Sequence, residues 1–380
     1  MQACRCVMTQ TLSDEQRMLR DSVARFAREH GGVEQRRRSS TTDLGFASGN
    51  WQQFASQGWL GAIFAEEAGG FGGGLAEMAI IMEEIGRGLL TEPYLGCVVL
   101  GGTLVDRLGS LEQKQRLLEP MIGGELRLAL AFAEASAGYD LSRCKTVLRK
   151  SEAGYVLEGA KIATLNGDSA DTFLVTARTE TGSDVVVVVR KDADGLSVRG
   201  YPTVDGLRGA NLEFASVAIA PEDILGSGVG ILETLQATID AATVGVCAEA
   251  IGAMSELLQT TVDYLKTRKQ FGKPLSTNQA LQHRLVDMYI VLEEARVLLS
   301  DAVNAYNPDR PLPFQAAASA VKSHVGVAAR LIGQEAVQLH GAIGTTEEFI
   351  VGHYFKRLTV IDLLFGNRDW HLRRLASQNH

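Results

Sequence analysis

Apolar residues recur at helical spacing near both ends of the chain. Ser13 and Gln16 form the pattern of a capping box, and apolar side chains follow every three or four residues, which predicts a helix. The same spacing returns from Leu75 to Leu90, from Leu111 to Ile122 and, most clearly, from Leu281 to Leu299. Both ends of the chain are therefore predicted to be helical.

The period of the apolar residues changes between Leu126 and Leu225. Short segments rich in Val, Leu and Phe are separated there by Gly, Asp, Asn or Ser, which is typical of antiparallel β structure. We therefore predict an α+β protein with an N-terminal α-helical domain at 9–125, a middle β domain at 126–228 and a C-terminal helical bundle at 229–380. Closely spaced Ala and Gly residues from Ala241 to Ala253 predict tight packing of helices in the bundle.

The composition is that of an ordinary soluble globular protein, since 46% of the 380 residues are hydrophobic and 22% are charged. No apolar run approaches the roughly 20 residues of a membrane-spanning helix, so no membrane partner is expected. The formal net charge of -8 argues against a nucleic-acid partner, because such proteins need a basic surface that displaces counterions.

The cysteines and histidines further limit the class of protein to which the chain can belong. The five cysteines are Cys4, Cys6, Cys97, Cys144 and Cys247. Their spacing indicates neither a disulfide framework nor a zinc site, and it fits a reducing cytoplasm. The seven histidines form no H-E-x-x-H pattern, so no metal is expected. The first residues lack the apolar centre of a signal peptide, and Met8 is a second candidate start.

Two other features invite a functional interpretation. The glycine run Gly69 to Gly74 could wrap an anion with its amides. No strand precedes it, however, no Lys-Ser/Thr pair follows it, and Glu66 and Glu67 lie beside it, so we interpret it as a structural loop. The adjacent acids Glu83 and Glu84 are interpreted as a solvated helix face.

The stretch LKTRKQFGKPLSTNQ, residues 265–279, interrupts two long helical segments. Arg268 ends the first helix, where a cation suits the negative end of the helix dipole, and a helix cap alone would explain it. Phe271 and a glycine follow at once, a proline forces a turn, and Gln279 begins the next helix. An arm that offers a cation, a flat apolar ring and an amide suits a dinucleotide.

A second candidate site ends another predicted helix, in the stretch QLHGAIGT at 338–345. Gln338 supplies an amide, His340 supplies an imidazole, and Gly341 allows a ligand to approach the backbone closely. A single histidine in such a place is more often structural. The case for a binding site rests on this stretch and the arm together.

These stretches resemble one family. RKQFGKPL with Gln279 downstream, followed by QLHGAIGTTE, is similar to the acyl-CoA dehydrogenase family, and the α, β, α order agrees across essentially the whole chain. The tail GHYFKRLTVIDLLFGNRDWHLRRLA is most similar to the small subunits of two-subunit pimeloyl-CoA and steroid side-chain dehydrogenases. The resemblance implies that family's fold, an FAD cofactor, α,β-desaturation of an acyl-CoA thioester, and electron-transfer flavoprotein as electron acceptor.

In that family FAD lies across a subunit interface. By motif match, the resemblance assigns Arg268, Phe271 and Gln279 to an arm that reaches the pyrophosphate and adenosine of a neighbour's FAD. It places the segment 338–341, with its amide, imidazole and glycine, beside the adenosine half. A guanidinium suits a pyrophosphate because it offers paired planar donors.

The family's catalytic base has no match in this chain. Most members carry a glutamate before a glycine near the C-terminus, where this chain has Phe365 and Gly366. A minority place the glutamate on the first long helix of the C-terminal domain, at a position that aligns with Ala242. Asp240 is close, but two residues turn a helical side chain by about 200°, so it should point elsewhere. No catalytic residue is therefore assigned to this chain.

The flavin-contacting segments also depart from the family. Members usually have a Thr before the Glu of the flavin loop and a Ser at its end, where this chain has Ala133 and Tyr139. The usual Trp-x-Thr motif is replaced by Ala163-Thr164-Leu165. The arm that serves a neighbour looks intact, whereas the base and the contacts to the chain's own flavin are missing.

This asymmetry predicts a hetero-oligomer, α₂β₂, in which a catalytic acyl-CoA dehydrogenase subunit carries the glutamate and holds the isoalloxazine. Three alternatives stay open. The chain could be a self-sufficient homo-oligomeric dehydrogenase with an unusual base such as Asp362, a structural homologue without an active site, or a flavin oxidase or monooxygenase on the same fold. The resemblance points to CoA thioesters of dicarboxylic or steroid-derived acids as substrates.

Overall fold

The computed structural model describes residues 12–152, 154–307 and 310–378, and the sequence inferences about Cys4, Cys6 and Met8 lie outside these ranges. The α-helices are α1 (Asp14–His30), α2 (Val33–Ser40), α3 (Ser48–Ser56), α4 (Leu75–Gly88), α5 (Thr103–Leu108), α6 (Leu111–Ile122), α7 (Ile231–Thr267), α8 (Gln279–Asn304), α9 (Pro311–His340), α10 (Ile350–Leu363) and α11 (Arg368–Gln378). A π-helix, Leu95–Gly102, precedes α5. The predicted helical regions at both ends of the chain are confirmed.

The first helix begins where its capping box predicts. Ser13 Oγ accepts a hydrogen bond from the backbone N–H of Gln16 at 3.1 Å, and Gln16 Oε1 accepts one from the backbone N–H of Ser13 at 3.1 Å. These bonds satisfy backbone donors that the start of a helix leaves without intrahelical partners. The helix α6 begins with the same reciprocal arrangement at Ser110 and Gln113.

The middle of the chain forms one eight-stranded sheet. Its strands are β1 (Leu128–Ala131), β2 (Val147–Ser151), β3 (Gly154–Leu165), β4 (Thr172–Thr179), β5 (Asp184–Arg190), β6 (Leu196–Pro202), β7 (Arg208–Ile219) and β8 (Ile224–Ser227). They pair in the order β6-β7-β3-β2-β4-β5-β8, with β1 also paired to β4. Most pairs are antiparallel, as predicted, but β1 and β2 both run parallel to β4, so the sheet is mixed.

The apolar composition of the central strands follows from their burial. In β4 and β5 five or six consecutive residues are buried, so both faces of these strands are covered. That explains why β5 contains five successive valines and does not alternate between apolar and polar residues. Fully buried side chains such as Phe173 and Val187 form the centre of this core.

The fold comprises two compact units. One contains the described residues of Met1–Arg36 with Leu75–Leu90 and Thr243–His380, and is helical apart from a small hairpin. The other contains Arg37–Gly74 with Thr91–Ala242, and includes the whole eight-stranded sheet. The arm, the segment 338–345 and the C-terminal turn at Phe365 all belong to the first unit, whereas the flavin-loop segments belong to the second.

The long helix α7 owes its apolar composition to the protein core. By length and composition alone it is the one helix of the described ranges that could cross a membrane, but its apolar window is 89% buried. A Cβ at Gly252 would lie 1.8 Å from the carbonyl oxygen of Glu83, and one at Gly86 would lie 1.9 Å from that of Glu249. The close helix packing predicted for 241–253 is therefore confirmed where α7 crosses α4.

The adjacent glutamates of α4 are not a solvated face, and that prediction was wrong. Glu84 is only 4% exposed, and Arg87 Nε donates to its carboxylate at 3.1 Å. Arg87 and Arg296 both donate to Glu83 Oε1, at 3.0 and 2.9 Å. Burial opposes ionisation of Glu83, but the two arginines lower its pKa overall, whereas burial raises the pKa of Glu84. Arg296 comes from α8, so the spacing within α4 could not reveal this network.

The glycine run from Gly69 to Gly74 is a structural loop, as predicted. The N–H of Gly72 donates to the carbonyl of Phe64 at 2.7 Å, and the amides of Gly70 and Gly73 also donate to carbonyls of the preceding turns. The amides that would wrap an anion are therefore already engaged within the protein.

Candidate functional site

The arm is a tight hairpin between β9 (Lys269–Gln270) and β10 (Lys273–Pro274). Its two turn residues, Phe271 and Gly272, have φ values of 53° and 79°. Positive φ at both positions is the geometry of a type I′ turn, which suits the glycine but strains a phenylalanine. The Phe271 side chain is also 100% exposed. The protein thus holds an aromatic side chain in solvent on a strained backbone, which is the arrangement expected of a group that becomes buried against another molecule.

Arg268 stands at the base of this hairpin. Its backbone N–H donates to the carbonyl of Tyr264 at 2.8 Å, and its own carbonyl accepts from the N–H of Leu275 at 2.9 Å. The backbone is thereby fixed, while the side chain is exposed and forms no ion pair within the ranges 12–152, 154–307 and 310–378. Gln279, the first residue of α8, is exposed as well. All three predicted arm residues therefore face outward.

His340 ends α9 and is 4% exposed. Its Nδ1 lies 2.8 Å from the carbonyl oxygen of Ala336, which requires the proton on Nδ1. Burial lowers the pKa of His340, partly opposed by this hydrogen bond, so the ring is neutral at pH 7. Its Nε2 is then a buried acceptor, and the described residues provide it with no donor. His340 has the structural role considered above, because its ring packs against α7, but its Nε2 has no hydrogen-bond donor among the described residues.

Tyr264 joins the two sequence motifs. Its ring stacks on His340 with a centroid distance of 4.3 Å, and its hydroxyl donates to the carbonyl of His340 at 3.3 Å. Because Tyr264 lies one helical turn before Arg268, this contact places the end of α9 beside the arm. The sequence reasoning missed Tyr264, because a tyrosine within a long amphipathic helix carries no signal of its own.

Gly341 has φ 66° and ψ -145°, a combination that is essentially restricted to glycine. Apart from Gly341 and its two chain neighbours, no heavy atom of the described structure would lie within 4 Å of a Cβ at this position, so the backbone here faces open space. Gln338 is exposed nearby on the last turn of α9. The backbone at Gly341 is therefore accessible to an approaching molecule.

The C-terminal turn presents no carboxylate. Phe365 and Gly366 have φ values of 59° and 119°, and Phe365 is 8% exposed. The buried Lys322 holds this turn, because its Nζ donates to the carbonyls of Gly366 at 2.7 Å and Asp362 at 3.0 Å. The turn is thus rigidly built around an apolar side chain.

The other acids near the expected base are engaged elsewhere. Asp362 Oδ2 accepts from Arg330 Nη2 at 3.0 Å, so this carboxylate is held against α9. Ala242, the alternative position of the base, carries no carboxylate and is fully buried within α7. Asp240 is 1% exposed, and its Oδ1 accepts from Gln236 of the same helix at 3.1 Å.

The two altered flavin segments lie next to each other. The carbonyl of Ala133 accepts from the N–H of Ile162 at 2.9 Å, one residue before Ala163. Ala163 has φ 51° and is exposed, so the position of the expected tryptophan is an open methyl group. Glu134, the acid of this loop, forms an ion pair with the buried Lys161 at 2.7 Å and faces the interior.

Comparison with known proteins assigns the whole chain to one family. Profiles described as the N-terminal, middle and C-terminal domains of acyl-CoA dehydrogenase match residues 13–125, 129–217 and 230–379. The acyl-CoA dehydrogenase IpdE2 of Mycobacterium tuberculosis is 30% identical over 369 residues, which cover 97% of this chain and 98% of that protein.

Solved structures agree with this assignment. A chain of the steroid acyl-CoA dehydrogenase Tcur3481-Tcur3483 is 29% identical, with a TM-score of 0.87 and coverage of 97% of this chain and 98% of that one. A chain of the ChsE4-ChsE5 complex of Mycobacterium tuberculosis has a TM-score of 0.88 over the same coverage, and at 24% identity it supports the fold alone. Because the chain has the family's fold and matches all three of the family's domain profiles, it belongs to the FAD-dependent acyl-CoA dehydrogenases.

Proposed function

We propose that this chain is the base-lacking partner subunit of a hetero-oligomeric acyl-CoA dehydrogenase, and that it completes the FAD site of a catalytic subunit. The observation that carries the proposal is an imbalance between two half-sites. The positions where relatives carry the base hold Phe365 and the buried Ala242, whereas Arg268 is exposed and Phe271 is fully exposed.

The residues of the arm fit the nucleotide part of FAD. The exposed guanidinium of Arg268 can donate paired hydrogen bonds to a pyrophosphate. Gly341 leaves room for close approach, and the unsatisfied His340 Nε2 can accept a hydrogen bond from an adenosine N–H or O–H. Gln338, on the last turn of α9, and Gln279, at the start of α8, offer exposed amides. When bound, FAD supplies the acceptor for the hydride that leaves the β-carbon of the substrate.

This chain is less suited to hold the flavin ring. Ala163 exposes only a methyl group where relatives place an aromatic ring, and Ala133 and Tyr139 replace two hydroxyl side chains that usually flank the flavin loop. Stacking and hydrogen bonds that would fix the isoalloxazine are therefore missing. We assign the isoalloxazine and the α-proton abstraction to the catalytic subunit.

An apolar face of α8 supports a partner on the same side as the arm. Val286, Ile290 and Val297 lie 7, 11 and 18 residues after Gln279, which places all four on one face of the helix. The three apolar side chains are 52%, 47% and 48% exposed. A groove of about 700 Å³ beside them is lined largely by apolar side chains and reaches His324 of α9. We propose that the cofactor-bearing subunit covers this face.

The remaining parts of the proposal follow from the family and from the sequence. We propose an α₂β₂ assembly in the cytoplasm, with electron-transfer flavoprotein as acceptor and acyl-CoA thioesters of dicarboxylic or steroid-derived acids as substrates. We retain the division into domains at 9–125, 126–228 and 229–380. The self-sufficient alternative would require Asp362 as base, and its ion pair with Arg330 disfavours that role.

The test compares this chain alone with this chain co-expressed with a candidate catalytic subunit. We expect the isolated chain to retain little FAD and to show no dehydrogenation of acyl-CoA, and the complex to do both. In the complex, Arg268→Ala removes charge-assisted hydrogen bonds worth about 1.5–3 kcal/mol, which weakens FAD binding about 10- to 150-fold. Stoichiometric flavin and turnover by the isolated chain would refute the proposal.

The matched control is Lys266→Ala. Lys266 is an exposed cation two residues before Arg268, and its contact with Asp263 is a loose 3.8 Å. If both variants lose FAD equally, the effect is one of overall charge, and the specific role of Arg268 is wrong.

A further inference from the structure

A lysine, a glutamate and a cysteine meet inside the sheet-containing unit. The fully buried Lys161 has its Nζ 2.7 Å from Glu134 Oε1 and 3.5 Å from Cys144 Sγ. Cys144 Sγ lies 3.4 Å from the same carboxylate oxygen. Cys144 is half-buried, and so accessible to a small reagent, whereas Cys97 and Cys247 are fully buried. The proposed function assigns no role to this cluster.

We propose that a peroxide links Cys144 Sγ covalently to Lys161 Nζ. The peroxide first transfers one oxygen to the Cys144 thiol, which gives a sulfenic acid and one water. The Lys161 nitrogen attacks the sulfenic sulfur as its ammonium loses a proton, and Glu134 takes up that proton once the cation that holds its pKa low is gone. The S–N bond forms as the S–O bond breaks, and the second water leaves. The protein loses two hydrogen atoms in total, and the peroxide is reduced to two waters.

The arrangement favours this link in two ways. The nitrogen and the sulfur are already in van der Waals contact, so little conformational freedom is lost when they bond. Glu134 contacts both groups and takes the proton from Lys161, so the reaction neutralises the ammonium and the carboxylate together and leaves no unpaired charge in the interior.

The reaction should depend on pH. Burial raises the pKa of Cys144, the neighbouring Lys161 ammonium acts in the opposite direction, and the Glu134 carboxylate raises it again. The thiolate that attacks peroxide is therefore scarce at neutral pH and becomes more abundant as the pH rises. Link formation should accelerate with increasing pH at a fixed peroxide concentration.

The test uses the full chain with Cys4→Ser and Cys6→Ser, so that these two cysteines cannot react. The protein is treated with hydrogen peroxide, digested without reductant and analysed by mass spectrometry. We expect a cross-linked species joining the peptides that contain Cys144 and Lys161, lighter than their sum by two hydrogens and cleaved by a thiol reductant. Cys97 and Cys247 act as internal controls and should remain unmodified.

Two variants separate the link from ordinary oxidation. Cys144→Ser should abolish the linked species, and Lys161→Arg keeps a cation beside Glu134 but removes the amine nucleophile. Because the decisive measurement is made with the native cluster, it does not depend on the folding of either variant. Conversion of Cys144 to sulfinic acid without a linked peptide, or no modification at all at raised pH, would overturn the proposal.

Discussion

The ion pair between Glu249 and Arg357 provides a quantitative test of the helical unit. Arg357 Nε and Nη2 donate to the two carboxylate oxygens of Glu249, both at 2.6 Å. The two side chains are only 5% and 6% exposed, so neither charge can recover its hydration if the other is removed. This pair joins α10 to α7 at a point where α7 also crosses α4.

Substitution Arg357→Met keeps much of the side-chain volume and leaves the Glu249 carboxylate buried without its partner. Breaking a buried pair in this way costs about 3–5 kcal/mol, because the desolvation of the remaining charge is no longer compensated. The double variant Glu249→Leu with Arg357→Met removes both charges and should recover most of this loss. Free energies of unfolding would be measured by urea titration with tryptophan fluorescence and circular dichroism.

The control is Arg330→Met. Arg330 pairs with Asp362 at 3.0 Å; the side chain of Arg330 is 67% exposed and that of Asp362 is 13% exposed, so water screens this pair better and its loss should cost less than that of Arg357. If Arg357→Met destabilises no more than Arg330→Met, burial does not govern the strength of these pairs. If the loss in the double variant equals the summed losses of Arg357→Met and Glu249→Leu made separately, Glu249 and Arg357 are not energetically coupled.

Three further predictions concern the arm, the missing base and acid stability. Phe271→Gly should relieve about 1 kcal/mol of backbone strain and so raise the unfolding free energy of the isolated chain. The same variant should bind the partner more weakly in a sedimentation assay, and equal binding would show that the ring does not contribute to the interface. Phe365→Glu should leave the isolated chain inactive in a dye-reduction assay with acyl-CoA, because a carboxylate alone does not restore the flavin contacts; turnover would contradict the division of the site. For Glu134, burial opposes ionisation, but Lys161 and neighbouring donors lower the pKa from 4.5 to about 2. The ionised Glu134 therefore contributes its full stabilisation above about pH 4.5, and this contribution is lost as the pH falls towards about 2. Glu134→Gln should flatten the unfolding free energy across that interval, and an unchanged acid transition would argue against this assignment.

Much of the fold could be predicted from local patterns. The capping boxes and the spacing of apolar side chains specify helices because they act between residues three or four positions apart. The short segments rich in β-branched residues between 126 and 225 likewise indicated strands. The mixed pairing of the sheet could not be predicted, because the direction of β1 and β2 relative to β4 depends on how the intervening chain crosses the sheet.

The two candidate segments could also be found from the sequence, but their relation could not. Arg268, Phe271 and Gly341 stand out because a cation, a ring and glycines interrupt helical periodicity. The contact that brings the segments together is the stacking of Tyr264 on His340, two residues 76 positions apart. No periodicity within one helix reports such a contact.

By itself the sequence determined the family, the order of helical and β regions, and the absence of a carboxylate at Phe365 and Ala242, because each depends on residue identity and short-range spacing. Only the tertiary structure decided which charges are buried and which are free. It placed Glu83 and Glu84 in an interior network and paired Asp362 with Arg330. It also left the guanidinium of Arg268 in solvent. The physical reason is that the energy of a charge depends on solvent and partners brought near it by distant parts of the chain.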